Sequence, residues 1–308
     1  MILITARAGG DGQTMDESNI EGPFGPATRI LSLPVTDILA AYRLKCGADV
    51  SRCFEGLSEV YLYECQVTGY RFWRPETIAA DEGTYHLLSA AWPGYYRGDR
   101  WEYGFVRNAL RKTDNVLEVG CGQGNFLRSL EGRVRAASGI ELNAQAIKNK
   151  VTKFDILRMT IEEFKSRSPA SLDAVCSFQV LEHVSAPRQF IEACAACLRP
   201  GGLLFLSTPN MECAMLRKRE DAFDLPPHHI GHFSAQVYES IARTLGLEVA
   251  GLRVEVRHTW AADTLNPTTE HHILYRATKR LTSVMLNAVY NLLGEPGNYI
   301  LATLRKPE

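Results

Sequence analysis

The chain has no excess of either charge: Lys and Arg number 34 against 35 Asp and Glu, for a net charge of −1. A polyanion would find no basic stripe on it, so a nucleic-acid partner is not expected. It also lacks any run of about 18 apolar residues, so no membrane span is expected. No signal-peptide pattern opens it, and several of its eight cysteines sit inside apolar runs. The expectation is therefore reduced, buried thiols in a cytoplasmic protein. Cys46, Cys53 and Cys65 contain no C-x-x-C pair, which argues for ordinary thiols over a tetrahedral metal site. With 45% hydrophobic residues, the 308-residue chain can bury one large core and carry appendages.

The organising stretch is Val116-Leu117-Glu118-Val119-Gly120-Cys121-Gly122-Gln123-Gly124-Asn125. An apolar run ends in three alternate glycines and then a helix-like segment. This spells a strand, a tight turn that brings backbone close to a ligand, and a helix N-terminus with free N–H groups. The spacing is G-x-G-x-G, with Asn125 where the dinucleotide fingerprint G-x-G-x-x-G has its third glycine. About 20 residues on, Glu141 stands at the tip of the next strand, where a carboxylate can take hydrogen bonds from two ribose hydroxyls.

Along the chain, residues 1–28 are rich in Gly, Asp, Ser, Thr and Pro and read as a flexible tail. Residues 29–104 read as an accessory module, with a strand within 57–66 and a turn at Thr68-Gly69. The aromatic segment 92–103 either packs that module on the core or forms a lid over a bound cofactor. Strands at 116–120, 136–141, 154–158, 172–178, 203–207, 247–256 and 298–305 alternate with helical segments. That alternation predicts an α/β fold with helices on both faces of a mostly parallel sheet in a domain spanning 105–308. Ser185 is the expected cap of a helix with Pro187 in its first turn, and Phe190, Cys194 and Leu198 form its buried stripe. Cys194-x-x-Cys197 is thereby core filling. Residues 270–293 form an amphipathic insertion helix that packs on its own domain, makes a dimer contact or covers the site.

The segments Val116–Asn125, Glu141, Phe178-Gln179-Val180-Leu181-Glu182-His183-Val184, Leu198–Gly202 and Ser207-Thr208-Pro209-Asn210 resemble the successive motifs of class I S-adenosylmethionine-dependent methyltransferases. They look most like the small-molecule branch that includes ubiquinone-type O-methyltransferases. The resemblance covers 115–256, with 298–305 in the place of the last strand. It implies a Rossmann-like seven-stranded sheet of order 3-2-1-4-5-7-6 with the last strand antiparallel. Residues 63–103 also look like the N-terminal segment of bacterial methyltransferases found with polysaccharide or secondary-metabolite enzymes. Their zinc-ribbon relatives carry C-x-x-C where this chain has Cys65-Gln66-Val67-Thr68.

By that resemblance, S-adenosylmethionine is the cofactor. Gly120, Cys121, Gly122, Gly124, Asn125 and Phe126 would run beneath its methionine part, and Glu118 would hold its amino end or brace the glycine turn. Glu141 and Leu142 would take the ribose. Thr160 and Ile161 would face the adenine, since Arg158–Glu162 has no Asp there, and Phe178, Gln179 and Val180 would contact methionine or adenosine. Tyr96 and Trp101 would close over the cofactor. A hydroxyl acceptor needs a base, and histidine is suited to it. The candidates are His229 first, then His232 in the same loop, then His183. The H-H-x-x-H spacing of His228, His229 and His232 also suits a metal, but no Asp or Glu cluster adjoins it and none is expected. The reading is methyl transfer to a small molecule, with a hydroxyl of a sugar or natural product as the expected acceptor. Alternatives are an N- or C-methyltransferase, a non-catalytic binder of the same cofactor, or a nucleotide-dependent oxidoreductase.

Overall fold

The structure, a computed structural model, describes residues 18–91, 100–213, 222–255 and 297–308. The chain enters through a hairpin, β1 (Asn19–Gly22) and β2 (Gly25–Pro34), paired antiparallel. This corrects the expected tail over residues 19–28; the rest of that tail, before Ser18, lies outside the described residues. The Gly and Pro content there is turn chemistry. Gly25 at φ +126° turns the chain, and Phe24, 2% exposed, packs edge-on against Tyr70.

Helix α1 (Val35–Cys46) follows, buries Val35, Ile38 and Tyr42, and ends on Gly47, whose N–H donates to Arg43 O. Strands β3 (Glu59–Cys65) and β4 (Arg71–Arg74) extend the sheet, joined by the expected turn at Thr68-Gly69. Trp73, Leu62, Val60 and Tyr42 form a core under this sheet that also takes in Phe223 and Leu225 from far along the chain. Helices α2 (Glu82–Ala91) and α3 (Trp101–Ala109) lead into the second sheet.

There β5 (Asn115–Val119), α4 (Asn125–Ser129), β6 (Ala136–Ile140), α5 (Ala144–Lys148), β7 (Asp155–Leu157), α6 (Ile161–Arg167), β8 (Leu172–Phe178), α7 (Pro187–Cys197) and β9 (Leu198–Pro209) alternate. After β10 (Gly231–His232) and α8 (Ala235–Thr244), β11 (Glu248–Val254) and β12 (Tyr299–Arg305) complete it. The strand order is β7-β6-β5-β8-β9-β12-β11, which is the order 3-2-1-4-5-7-6 implied by the resemblance. The first five strands pair in parallel, and β12 runs antiparallel to both β9 and β11. Burial on both faces explains the continuous apolar text of β8 and β9.

Two local expectations need correction. The N-cap of α7 is Ala186, with no side-chain cap; Ser185 sits one residue too early to reach the first-turn N–H groups. The loop from Asp224 to Phe233 is partly a strand: β10 adds to β4, closing the first sheet as β1-β2-β3-β4-β10. Phe233 meanwhile bridges Asn210 at the end of β9. One short segment is thus held by both sheets. No disulfide joins the described cysteines; Cys194 and Cys197 are buried in the core as expected. The helix expected at 270–293 lies outside the described residues. Among those described, no helix is long and apolar enough to cross a membrane.

Candidate active site

The carboxyl ends of β5, β6 and β8 open into a cavity of about 1020 Å³. Its floor is the glycine turn. Gly120 adopts φ +69°, and a Cβ there would lie 2.4 Å from Val180 Cγ2, so only glycine lets the strand turn against the end of β8. Gly122, at φ +54°, exposes its N–H, which donates to Glu141 Oε2 at 2.8 Å. The other carboxylate oxygen, Oε1, accepts from the N–H groups of Leu142 and Asn143, both at 2.9 Å. Glu141 therefore ties the turn after β5 to the turn after β6. Three of the roughly four acceptor positions of a carboxylate are filled, so ribose hydroxyls would add to a preformed bridge.

Glu118 sits beneath the turn, 2% exposed, and its Oε2 has no hydrogen-bond partner among the described residues. Burial holds its carboxyl well above the usual carboxylate range, with Arg100 pulling the other way. An orphaned buried carboxylate oxygen at a glycine cradle fits the ammonium of an amino-acid ligand. Together with Glu141, it fits the methionine and ribose ends of S-adenosylmethionine.

Cys121, Asn125, Leu142, Thr160, Ile161, Phe178, Gln179 and Val180 also line the cavity. Thr160 spends its oxygen as the N-cap of α6, within a capping box with Glu163. Gln179 takes a left-handed φ of +57°, rare for a residue with a side chain. It is held there by its N–H to Ser207 O at 2.8 Å and its Nε2 to Ser207 Oγ at 2.9 Å. Gly124, Phe126 and Trp101 are not brought to the cavity wall. Phe126 is fully buried between Tyr103 and Phe178, Gly124 is the N-cap of α4, and Trp101 packs on Phe105. Tyr96 lies outside the described residues.

The opposite wall holds His183, His228, His229, Glu182 and Asp224, with Ala79, Glu82 and Tyr85 from the N-terminal module. Asp224 Oδ1 lies 3.2 Å from His229 Nδ1 and fixes the ring with Nε2 as its other face. His183 is mostly buried, and loss of solvent pushes its imidazole down to about 3. His232 faces away in β10, with its Nε2 on Asp224 O at 3.2 Å. No acidic cluster was expected beside the histidines; the fold brings two carboxylates to His229, Glu182 from the turn after β8 and Asp224 from the same loop. Glu182 is 1% exposed, and burial raises its carboxyl to about 7. His228 was not singled out alone; its direct adjacency to His229 was the available signal.

A family model described as a methyltransferase domain matches residues 95–252, half of the chain. The chain belongs to this methyltransferase family. Within it, the strand order and motifs are those of a class I S-adenosylmethionine-dependent methyltransferase. A ubiquinone biosynthesis O-methyltransferase from Idiomarina loihiensis is 34% identical over 119 residues, covering 35% of this chain and 48% of that protein. One of the same name from Xanthomonas campestris is 35% identical over 118 residues, covering 36% and 49%. The methyltransferase thus spans about half the length of these relatives. A solved S-adenosylmethionine-dependent methyltransferase from Archaeoglobus fulgidus aligns with 72% of this chain and 99% of its own, at 18% identity and a TM-score of 0.49.

Proposed function

We propose that this protein transfers the methyl group of S-adenosylmethionine to a hydroxyl of a small molecule, a sugar or natural product being the favoured class. The observation that carries the reading is one cavity with two unlike walls: a glycine turn braced by Glu141 over Glu118, and a histidine wall held by Asp224. When bound, the cofactor supplies a methyl group on a sulfonium, already an excellent leaving group. The protein's part is alignment, worth several kcal/mol where geometry is good, together with removal of the acceptor's proton.

On this reading the acceptor oxygen approaches from the histidine wall. His229 Nε2 takes the proton, Asp224 keeps Nδ1 protonated, and Glu182 Oε1, 4.0 Å from Nε2, steadies the resulting imidazolium. Burial of His183 makes it a poor proton acceptor, and His232 is turned away. Residues 29–104 act as an accessory module, since Ala79, Glu82 and Tyr85 face the same cavity. A net charge of −1 gives no ground for a nucleic-acid partner; a cytoplasmic location, no membrane partner and a homodimer through 270–293 belong to the same proposal.

Calorimetry with S-adenosylhomocysteine tests the cofactor half. Mass spectrometry of hydroxylated sugars and phenols incubated with S-adenosylmethionine tests the acceptor half. Protein that binds nicotinamide dinucleotide and not S-adenosylhomocysteine would overturn the reading.

A further inference from the structure

The histidine wall has the makings of a metal site. His183, at the end of the short turn after β8, and His228 and His229, from the loop before β10, bring candidate ligand nitrogens within 4.8 Å of one another. Their other faces are fixed. His183 Nδ1 lies 2.5 Å from His228 O, and His228 Nδ1 lies 2.9 Å from Phe223 O. A carbonyl oxygen only accepts, so both Nδ1 atoms carry protons and both Nε2 atoms carry the lone pair. Asp224 does the same for His229. Backbone carbonyls and a carboxylate behind the rings are the usual outer partners of metal-ligating histidines.

A carboxylate completes the group. Among the described residues neither oxygen of Glu182 has a hydrogen-bond partner, and Oε1 stands 3.9 Å from His183 Nε2 and 4.0 Å from His229 Nε2. Those spacings are too long for hydrogen bonds and leave room for an ion between the four side chains.

We infer that the wall binds one divalent transition-metal cation, zinc by its donor set, through Nε2 of His183, His228 and His229 with Glu182 as a fourth ligand. Imidazole and carboxylate oxygen suit zinc, and a site of this kind can take a fifth oxygen from a substrate. With Asp224 behind His229, the two carboxylates balance the charge of the ion. The binding claim stands alone; its role rests on the methyl-transfer reading. In the loaded protein His229 Nε2 is a ligand, so the cation takes over the loosening of the acceptor's proton. That proton leaves to bulk water, a carbon–oxygen bond forms, and the methyl carbon–sulfur bond breaks with its electron pair on sulfur.

The test uses the full chain freed of metal by dialysis against a strong chelator. Titration with Co²⁺ should give visible d–d absorption saturating at one ion per chain, and Zn²⁺ should displace it at equal stoichiometry. His183→Gln and His228→Gln should each weaken Zn²⁺ binding by at least the roughly tenfold that even an outer partner is worth. If the variants do not fold, the titration of the unaltered chain still decides. Protein that binds S-adenosylhomocysteine, and is therefore folded, yet gives no cobalt band and no stoichiometric Zn²⁺ overturns the inference. Methyl transfer by that metal-free protein would then leave the functional reading standing. Stoichiometric metal without S-adenosylhomocysteine binding would do the reverse.

Discussion

Replacing Glu141 separates a structural bridge from a ligand contact. Its carboxylate accepts three backbone N–H groups, from Gly122, Leu142 and Asn143, at 2.8–2.9 Å. Hydrogen bonds to a charged group contribute about 1.5–3 kcal/mol each, although partial exposure of this side chain puts its bonds at the low end. In Glu141→Ala the loss of the one ribose bond that the carboxylate still has room for predicts about 1.5 kcal/mol, or roughly tenfold in affinity for S-adenosylhomocysteine. Loosening of the turn at Gly122 adds to that. Glu141→Gln divides the effect. Its amide keeps one acceptor oxygen, which goes to the paired N–H groups of Leu142 and Asn143, and its NH₂ then confronts the Gly122 N–H. The glutamine variant should therefore lose the brace and the open acceptor, while its NH₂ can still donate to a ribose hydroxyl, for a drop smaller than that of Glu141→Ala. Isothermal titration of the three proteins reads both numbers, with thermal melts of the free proteins as the measure of the brace. Unchanged affinity in Glu141→Ala would refute the assignment of this carboxylate to the cofactor.

Glu118 provides a pH signature. Its carboxyl is raised in the free protein, so between the ordinary value of 4.5 and the raised one the folded state holds a proton that the unfolded chain has released. Stability from this group thus falls as pH rises through that window, and Glu118→Gln should gain melting temperature relative to the parent as pH increases. An incoming ammonium should expel the same proton, so S-adenosylhomocysteine should bind more tightly with rising pH and its binding heat should vary with buffer ionisation. Heats equal in buffers of unlike ionisation enthalpy at every pH from 4.5 upward would remove Glu118 from the amino end. Gly120→Ala sets a Cβ 2.4 Å from Val180 Cγ2 at a left-handed φ, and should lower stability by about 1–3 kcal/mol and abolish measurable cofactor binding; a chemical denaturation curve that overlays the parent's would contradict this. His229→Ala should reduce turnover by about 100-fold or more with cofactor affinity unchanged. Asp224→Asn should do so partially, and full activity in His229→Ala would remove the imidazole from the proton path.

The second sheet was legible because each of its strands carries its own local signal. Buried apolar runs mark β5, β8 and β9, the three glycines mark the turn, and Glu141 follows at a telling distance. The N-terminal hairpin was not, because Gly22-Pro23 and Gly25-Pro26 look like loop text until Phe24 is seen buried against Tyr70. β10 was missed for a related reason: two residues are too short for any alternation, and its pairing partner β4 lies some 160 residues earlier in the numbering. The histidine wall was half legible. Three histidines in one loop drew notice; Asp224, five residues before His229, was an available signal, whereas Glu182 meets His229 only through tertiary packing. Glu182 is separated from His229 by the whole of α7 and β9, and the Ile230 N–H to Glu182 O bond at 2.9 Å closes that distance. Phe126 shows the opposite error, since adjacency to a ligand-binding turn does not tell a lining side chain from one pointing into the core.

Because β10 is laced to β4 on one edge while Phe233 is fastened to the end of β9 on the other, the histidine wall belongs to neither sheet alone. A chimera that exchanged the N-terminal sheet for a relative's would import a new seat for His229 with it, so acceptor choice should travel with the first hundred residues even though the cofactor cradle stays behind. Deleting that sheet would leave the cradle's strands in register and the histidines without an anchor.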